Sequence, residues 1–314
     1  MYLDVNPYVP TLNSIVFMSD RDGSQNLYLM SLSDGSFVQL TNHDDIDASH
    51  SGISPATEEV FFREGQTVKK VSLRAPYEEE EVYTVDDQYE IKGSLSMGPG
   101  GNKFALSLYN KNGYSTLATI DTARSTLEEV RKIKGAVDHV LINPVYGNTL
   151  LYHTYDRNQI GLVNIETKQE KVLTKPGDHG THPFWEHNGQ AAGYVLKNAR
   201  EARGSQEKVV TYSIQAAGYS NYPLTRYSNH VAMNPSGTWI QGDGGPSDRY
   251  IYYYVINPRN NTVARQTMFK HDSTSSNELW HPHATFINDT DVIFNSDKDN
   301  PGKSGDIYLL SKNP

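Results

Sequence analysis

The same short grammar returns along this chain in segments of roughly 40 residues, and a repeat of that period limits the fold more than any other feature. A polar-apolar strand comes first, then a turn, a second apolar strand, a third strand of the NLYLMSL kind, a tight turn and a fourth strand. The first unit contains IVFMSDRDGSQNLYLMSLSDGSFVQLT and ends at Thr41. Later units open at SGISPATEEVFF, GSLSMGPGGNKFALSLY, DHVLINPVYGNTLLYHTY, THPFWEHNGQAAGYVL, NHVAMNPSGTWIQGDG and HPHATFINDTDVIFNSD. Each strand is a few residues long and alternates in polarity, as half-buried antiparallel strands do. Asp-Gly, Pro-Gly and Asn-Gly pairs supply the reversals. A sheet of this kind cannot bury both faces alone, and stacking copies in a ring does so. The expected fold class is therefore all-β, a seven-bladed β-propeller, as one domain over residues 1–314. The segment Tyr2–Val9 reads as the first strand of blade one. The expectation for blade seven is that it lacks a fourth strand, since the sequence stops at Pro314. Ala123–Lys134 has some helical composition, yet Thr126, Val130 and Ile133 fit a fourth strand equally.

Composition excludes several function classes. Cysteine is absent, which removes disulfides and thiolate metal sites. A net charge of -9 opposes nonspecific nucleic-acid binding, which needs a basic field. A small anionic substrate stays compatible with that charge, since a metal or a few Arg and Lys serve it locally. The densest apolar runs, such as Tyr250–Val255, are strand-sized and give no membrane span. MYLDVNPYVP has no basic-then-apolar leader, so a cytoplasmic location is the expectation. The run Glu78–Glu81 reads as a solvated strand edge. Neither a G-x-S-x-G elbow, a phosphate loop nor a dinucleotide fingerprint occurs.

The histidines give the sharper signal. In a propeller the first strand of each blade lines the central channel. On that template His139, His182 and His230 fall in the first strands of blades four, five and six, with His281 and His283 in blade seven. Residues two apart on a strand point the same way, so His281 and His283 share a side. Imidazoles of neighbouring blades then converge near the axis, where they suit Zn, Mn, Fe or Ni. Glu278 adds a carboxylate three residues before His281. His43, His50, His153, His179 and His187 fall in turns or outer positions and read as solvated or structural.

Several motifs resemble those of the oligogalacturonate lyase family of pectin-degrading, metal-dependent seven-bladed propellers. They are SDRDGSQNLYLMSL, THPFW, SNHVAMNPSGTWIQGDG, FKHDSTS, WHPHATF and FNSDKD. SDRDG alone is common to many propellers, whereas the ordered set THPFW, NHVAMNPSG and HPH is more specific. The resemblance implies a divalent ion, usually Mn2+, held by three histidines and a glutamine. The matching histidines are His230, His281 and His283, and Glu278 stands in the glutamine position. It implies His182 as the catalytic base. The family's catalytic arginine aligns with Gln159, and Arg157, two residues away, is the candidate to replace it. His139 and His271 match histidines near the substrate. Loops that shape the family's cleft are shortened, for example between Gly245 and Tyr252.

These readings converge on β-elimination from a small uronate oligosaccharide, oligogalacturonate first, giving a 4,5-unsaturated uronyl product. A lyase for another uronate glycan, a metal-dependent hydrolase and a noncatalytic scaffold binding protein or sugar are the competing expectations. Nothing in the sequence sets an oligomeric state.

Overall fold

A computed structural model of the chain describes residues 6–197, 207–226, 228, 230–244, 248–274, 282–302 and 305–311. Seven antiparallel sheets make up the blades of an all-β, seven-bladed propeller. In each sheet the strands pair in chain order, so every connection is a hairpin. Six sheets have four strands, and the seventh has three among the described residues. Their first strands are Tyr8–Val9, Asp47–Ser54, Tyr89–Met97, Val137–Ile142, His179–Trp185, Val231–Met233 and Thr285–Phe286. Helical structure among the described residues is two single turns, Pro10–Leu12 and Pro99–Gly101.

Burial follows position within a blade. The second strands are sandwiched on both faces, and Ser14–Ser19 is buried at every residue. The fourth strands are edges, and those of blades two and three carry much charge. Thr126–Lys134 is such a strand, not a helix; it pairs with Tyr114–Asp121 and buries only Val130 and Ile133. Glu79–Thr84 is the edge of blade two, with its acidic residues exposed and Lys70 bridging Glu59 and Glu80.

The chain divides into two compact units. One covers Leu3–Arg157 and Gly161–Lys171, hence blades one to three and most of blade four. Its core includes Phe61, Phe104, Leu106 and Ile120 between blades two and three, and Leu117, Val140, Leu150 and Tyr152 between blades three and four. The other covers Asn158–Ile160 and Val172–Pro314, hence blades five to seven. There Val195, Val209 and Tyr222 of blade five pack on Ile240, Tyr252 and Tyr254 of blade six. Phe269 meets Phe294 edge-on at 5.5 Å, and Phe294 stacks on Tyr308 at 5.4 Å, joining blades six and seven. Each large side chain so buried contributes about 1.5–3 kcal/mol.

Candidate metal centre

In the unit of blades five to seven, His182, His230 and His283 come together. The ring of His182 meets that of His230 edge-on, 4.8 Å between centroids. The ring of His230 stacks on that of His283 at 3.9 Å. Each ring is aimed by a local departure from regular strand. His182 sits in a bulge of blade five, where the register slips between Thr181 and Phe184. Its φ is 48°, a left-handed conformation that histidine adopts more readily than most residues. A bulge of this kind re-aims one side chain without ending the strand. His230 lies in the bend just before Val231–Met233.

His283 lies ahead of the short strand Thr285–Phe286, with φ 40°. His283 itself is therefore not part of a regular strand, and the expected pairing of its side with that of His281 falls on a residue outside those described. The backbone around His283 is clamped instead. The carbonyl of Pro282 accepts from Asn295 N at 2.8 Å, and that of Ala284 accepts from Gln241 Nε2 at 2.5 Å. Left-handed backbone at a non-glycine residue persists where its surroundings over-determine it in this way.

Asp243 completes the group. It ends the second strand of blade six, Trp239–Asp243, and is fully buried. Its Oδ1 accepts the backbone N–H of His230 at 2.7 Å, and Oδ2 lies 3.1 Å from Nδ1 of the same histidine. Oδ2 also receives a long contact from Ala284 N at 3.4 Å. The flanking Gly242 and Gly244 are required by close approach. A Cβ would fall 2.2 Å from Ser228 Oγ at the first and 1.8 Å from the Asp248 carbonyl at the second.

His271 is buried behind this group and has no exposed surface. Its Nε2 donates to the Gly244 carbonyl at 3.1 Å, and its Nδ1 accepts Ser273 N–H at 3.0 Å. Both nitrogens are thus engaged by the backbone in a neutral ring. Burial holds its pKa below the ordinary histidine value, against the pull of Asp243. The expectation that His271 meets substrate does not match this position: its ring props the Gly244 turn.

The unit of blades one to four carries a different arrangement. His139 stands in the first strand of blade four, and His153 lies directly across from it in the second strand. Asp138, in the bulge between Val137 and His139, puts Oδ1 2.8 Å from His153 Nδ1 and 3.1 Å from His139 Nδ1. Burial raises the carboxyl's pKa, but hydrogen bonds from both imidazoles overcome that and hold it well below the usual range. One ligand atom from each of these residues lies within 4.8 Å of the others, close enough to hold a metal ion. His139 is half-buried and His153 buried.

Arg157 occupies the turn before Gln159–Asn164, so the same-face argument made from a strand does not apply to it. Its half-exposed guanidinium donates to the Lys134 carbonyl at 2.5 Å. Glu278 and His281 lie outside the described residues.

No protein-family model matches the chain. A curated oligogalacturonate lyase of Dickeya dadantii (strain 3937) is 23% identical over 341 residues, covering 95% of this chain and 86% of that protein. The chain resembles the oligogalacturonate lyases over nearly its full length. A crystal structure of the oligogalacturonate lyase from Vibrio parahaemolyticus matches it with TM-score 0.85 at 21% identity, over 99% of this chain and 89% of that one. An oligogalacturonate lyase in complex with manganese matches with TM-score 0.85 at 18% identity, over the same shares. The propeller is therefore the fold these lyases share. Among the described residues no helix is long and apolar enough to cross a membrane.

The residues that the sequence reading missed are all partners of histidines. Asp243 stood in plain view in the motif WIQGDG, yet no role followed from one aspartate between two glycines. His153 had a better signal. A hairpin turning through PVYGN brings residues equally far from the turn opposite one another, and His139 and His153 are such a pair. Asp138, beside His139, then becomes their common acceptor.

Proposed function

We propose that this chain, acting as a single propeller domain over residues 1–314, is a metal-dependent lyase. It cleaves small uronate oligosaccharides by β-elimination, with oligogalacturonate the first substrate. The observation that carries the reading is the convergence of His182 and His283 on His230, the histidine braced by buried Asp243. The full-length likeness to oligogalacturonate lyases supports it.

A donor set of neutral imidazoles with a carboxylate behind one of them suits a borderline divalent ion such as Mn2+. His230 and His283, with His281 and Glu278, would hold it. When bound, such an ion supplies Lewis-acid stabilisation of the charge that builds on the uronate carboxylate. The protein's own groups do the rest. His182, as a neutral imidazole, takes the proton from C5 of the uronate. The C5–H electron pair becomes the C4–C5 double bond, and the C4–O4 bond breaks as O4 departs with a proton from water or a tyrosine. The imidazolium returns its proton to solvent. His139, half-buried beside Asp138, is assigned contact with the sugar. Arg157 supplies a local cation for an anionic substrate that the protein's net charge of -9 otherwise repels.

The reading is tested by following ultraviolet absorbance of the new enoate on saturated and unsaturated digalacturonate. Activity should vanish with chelator and return with Mn2+. Stoichiometric bound metal with no turnover would move the substrate to another uronate glycan. Absence of both metal and turnover would support the scaffold reading. Cleavage without the absorbance would mark a hydrolase.

A further inference from the structure

We infer that Asp243 is the positioning residue of this centre: its carboxylate fixes which nitrogen of His230 carries the proton and ties that ring to the segment bearing His283. The significance of this for catalysis rests on the lyase reading above, but the tautomer itself does not.

An ionised carboxylate offers only acceptors, so a neighbouring imidazole nitrogen must bring the hydrogen. Asp243 Oδ2 lies 3.1 Å from His230 Nδ1, which places the proton on Nδ1. In a neutral imidazole the lone pair then resides on Nε2, the nitrogen left to bind a cation or accept a proton. The same carboxylate grips His230 a second time through its backbone N–H at 2.7 Å. Two contacts to one residue fix the direction of the ring as well as its tautomer. Oδ2 also reaches Ala284 N at 3.4 Å, while Gln241 Nε2 takes the Ala284 carbonyl at 2.5 Å. Ala284 follows His283 directly, so one strand end of blade six aligns both stacked rings. The carboxylate in turn cannot drift. It is fully buried, and the chain on either side is packed where a Cβ would clash. Carboxylate partners of this kind typically account for 10–100-fold of metal affinity, as an order of magnitude.

The substitution Asp243→Asn separates tautomer from shape. The amide keeps the size and one acceptor for the His230 backbone N–H. Its NH2 then faces Nδ1, and two donors cannot share that gap. The imidazole proton moves to Nε2, and the nitrogen needed for ligation is blocked. The first test needs no variant. In the full chain, freed of metal by chelator, 15N imidazole spectra should show His230 as the Nδ1–H tautomer; an Nε2–H signature overturns the proposal. The second measures Mn2+ binding by titration calorimetry on Asp243→Asn alongside its melting temperature. Affinity should fall by about 10–100-fold with the fold retained. Wild-type affinity in a folded variant overturns it, and if the variant does not fold the wild-type spectrum still decides. A chain with the Nδ1–H tautomer and no eliminase activity would defeat the lyase reading and leave this one standing.

Discussion

Asp243 and Asp138 both face imidazole Nδ1 atoms, and they use that contact in opposite ways. Asp243 is fully buried, serves one histidine through two contacts and leaves that ring stacked against another. Asp138 is partly exposed, serves two histidines through a single oxygen and leaves their rings 5.8 Å apart. The first arrangement spends the carboxylate on aiming one ring. The second spends it on joining two strands of a hairpin, since His139 and His153 are cross-strand partners. A carboxylate beside histidine therefore has no fixed meaning; the number of rings it must satisfy decides whether it orients or staples.

Substitutions at the paired positions sharpen that contrast. The largest difference should separate His182→Ala from His139→Ala. Loss of the base should lower kcat by about 10²–10⁴-fold with bound Mn2+ unchanged. Loss of His139 should act mainly on KM under the proposed assignment of that side chain to the sugar. Equal kcat effects, read from steady-state kinetics with metal analysis, would erase the distinction between the two groups.

Asp138→Ala should act on stability. At neutral pH it strands the Nδ1–H of buried His153, at a cost of about 1–3 kcal/mol. Mn2+ affinity should not move, in contrast with Asp243→Asn. The pH dependence follows from the lowered pKa of Asp138. A carboxyl depressed in the folded state contributes fully above its unfolded value, about 3.9, and loses that contribution as pH falls toward the folded one. Urea melts should show the gap between wild type and variant narrowing from about pH 5 to pH 3. A constant gap would mean the carboxylate is not what holds the hairpin.

His271→Gln is a smaller effect with an earlier onset. The folded protein holds His271 neutral with a lowered pKa, so its contribution is present above the unfolded value, about 6.5, and declines as pH falls below it. The variant should remove that slope between about pH 7 and pH 5, measured as melting temperature against pH. An identical slope in both proteins would place the acid sensitivity elsewhere. Smallest of all is Glu278→Gln, which should leave turnover nearly intact if the side chain only ligates. Lost turnover with metal retained would instead assign it chemistry.

The fold was legible because a propeller repeats its pattern: the strand grammar and the Asn-Gly and Asp-Gly turns recur often enough to be counted. Even the ambiguous stretch near Thr126 resolves once only Val130 and Ile133 must be buried. The histidines were legible for the same reason, since blade starts align them, and His182, His230 and His283 do meet. What the alternation of a strand could not convey was direction. His182 lies in a bulge and His283 before its strand, both with left-handed backbone, so their aim is set by clamps from other strands. Nor could it show that His271 would turn inward to the Gly244 carbonyl. Local pattern determined that this chain folds into blades and that imidazoles gather at blade starts. Which carboxylate orients a ring, and which staples a hairpin, was decided by tertiary packing, because burial and hydrogen-bond partners arise only when distant strands meet.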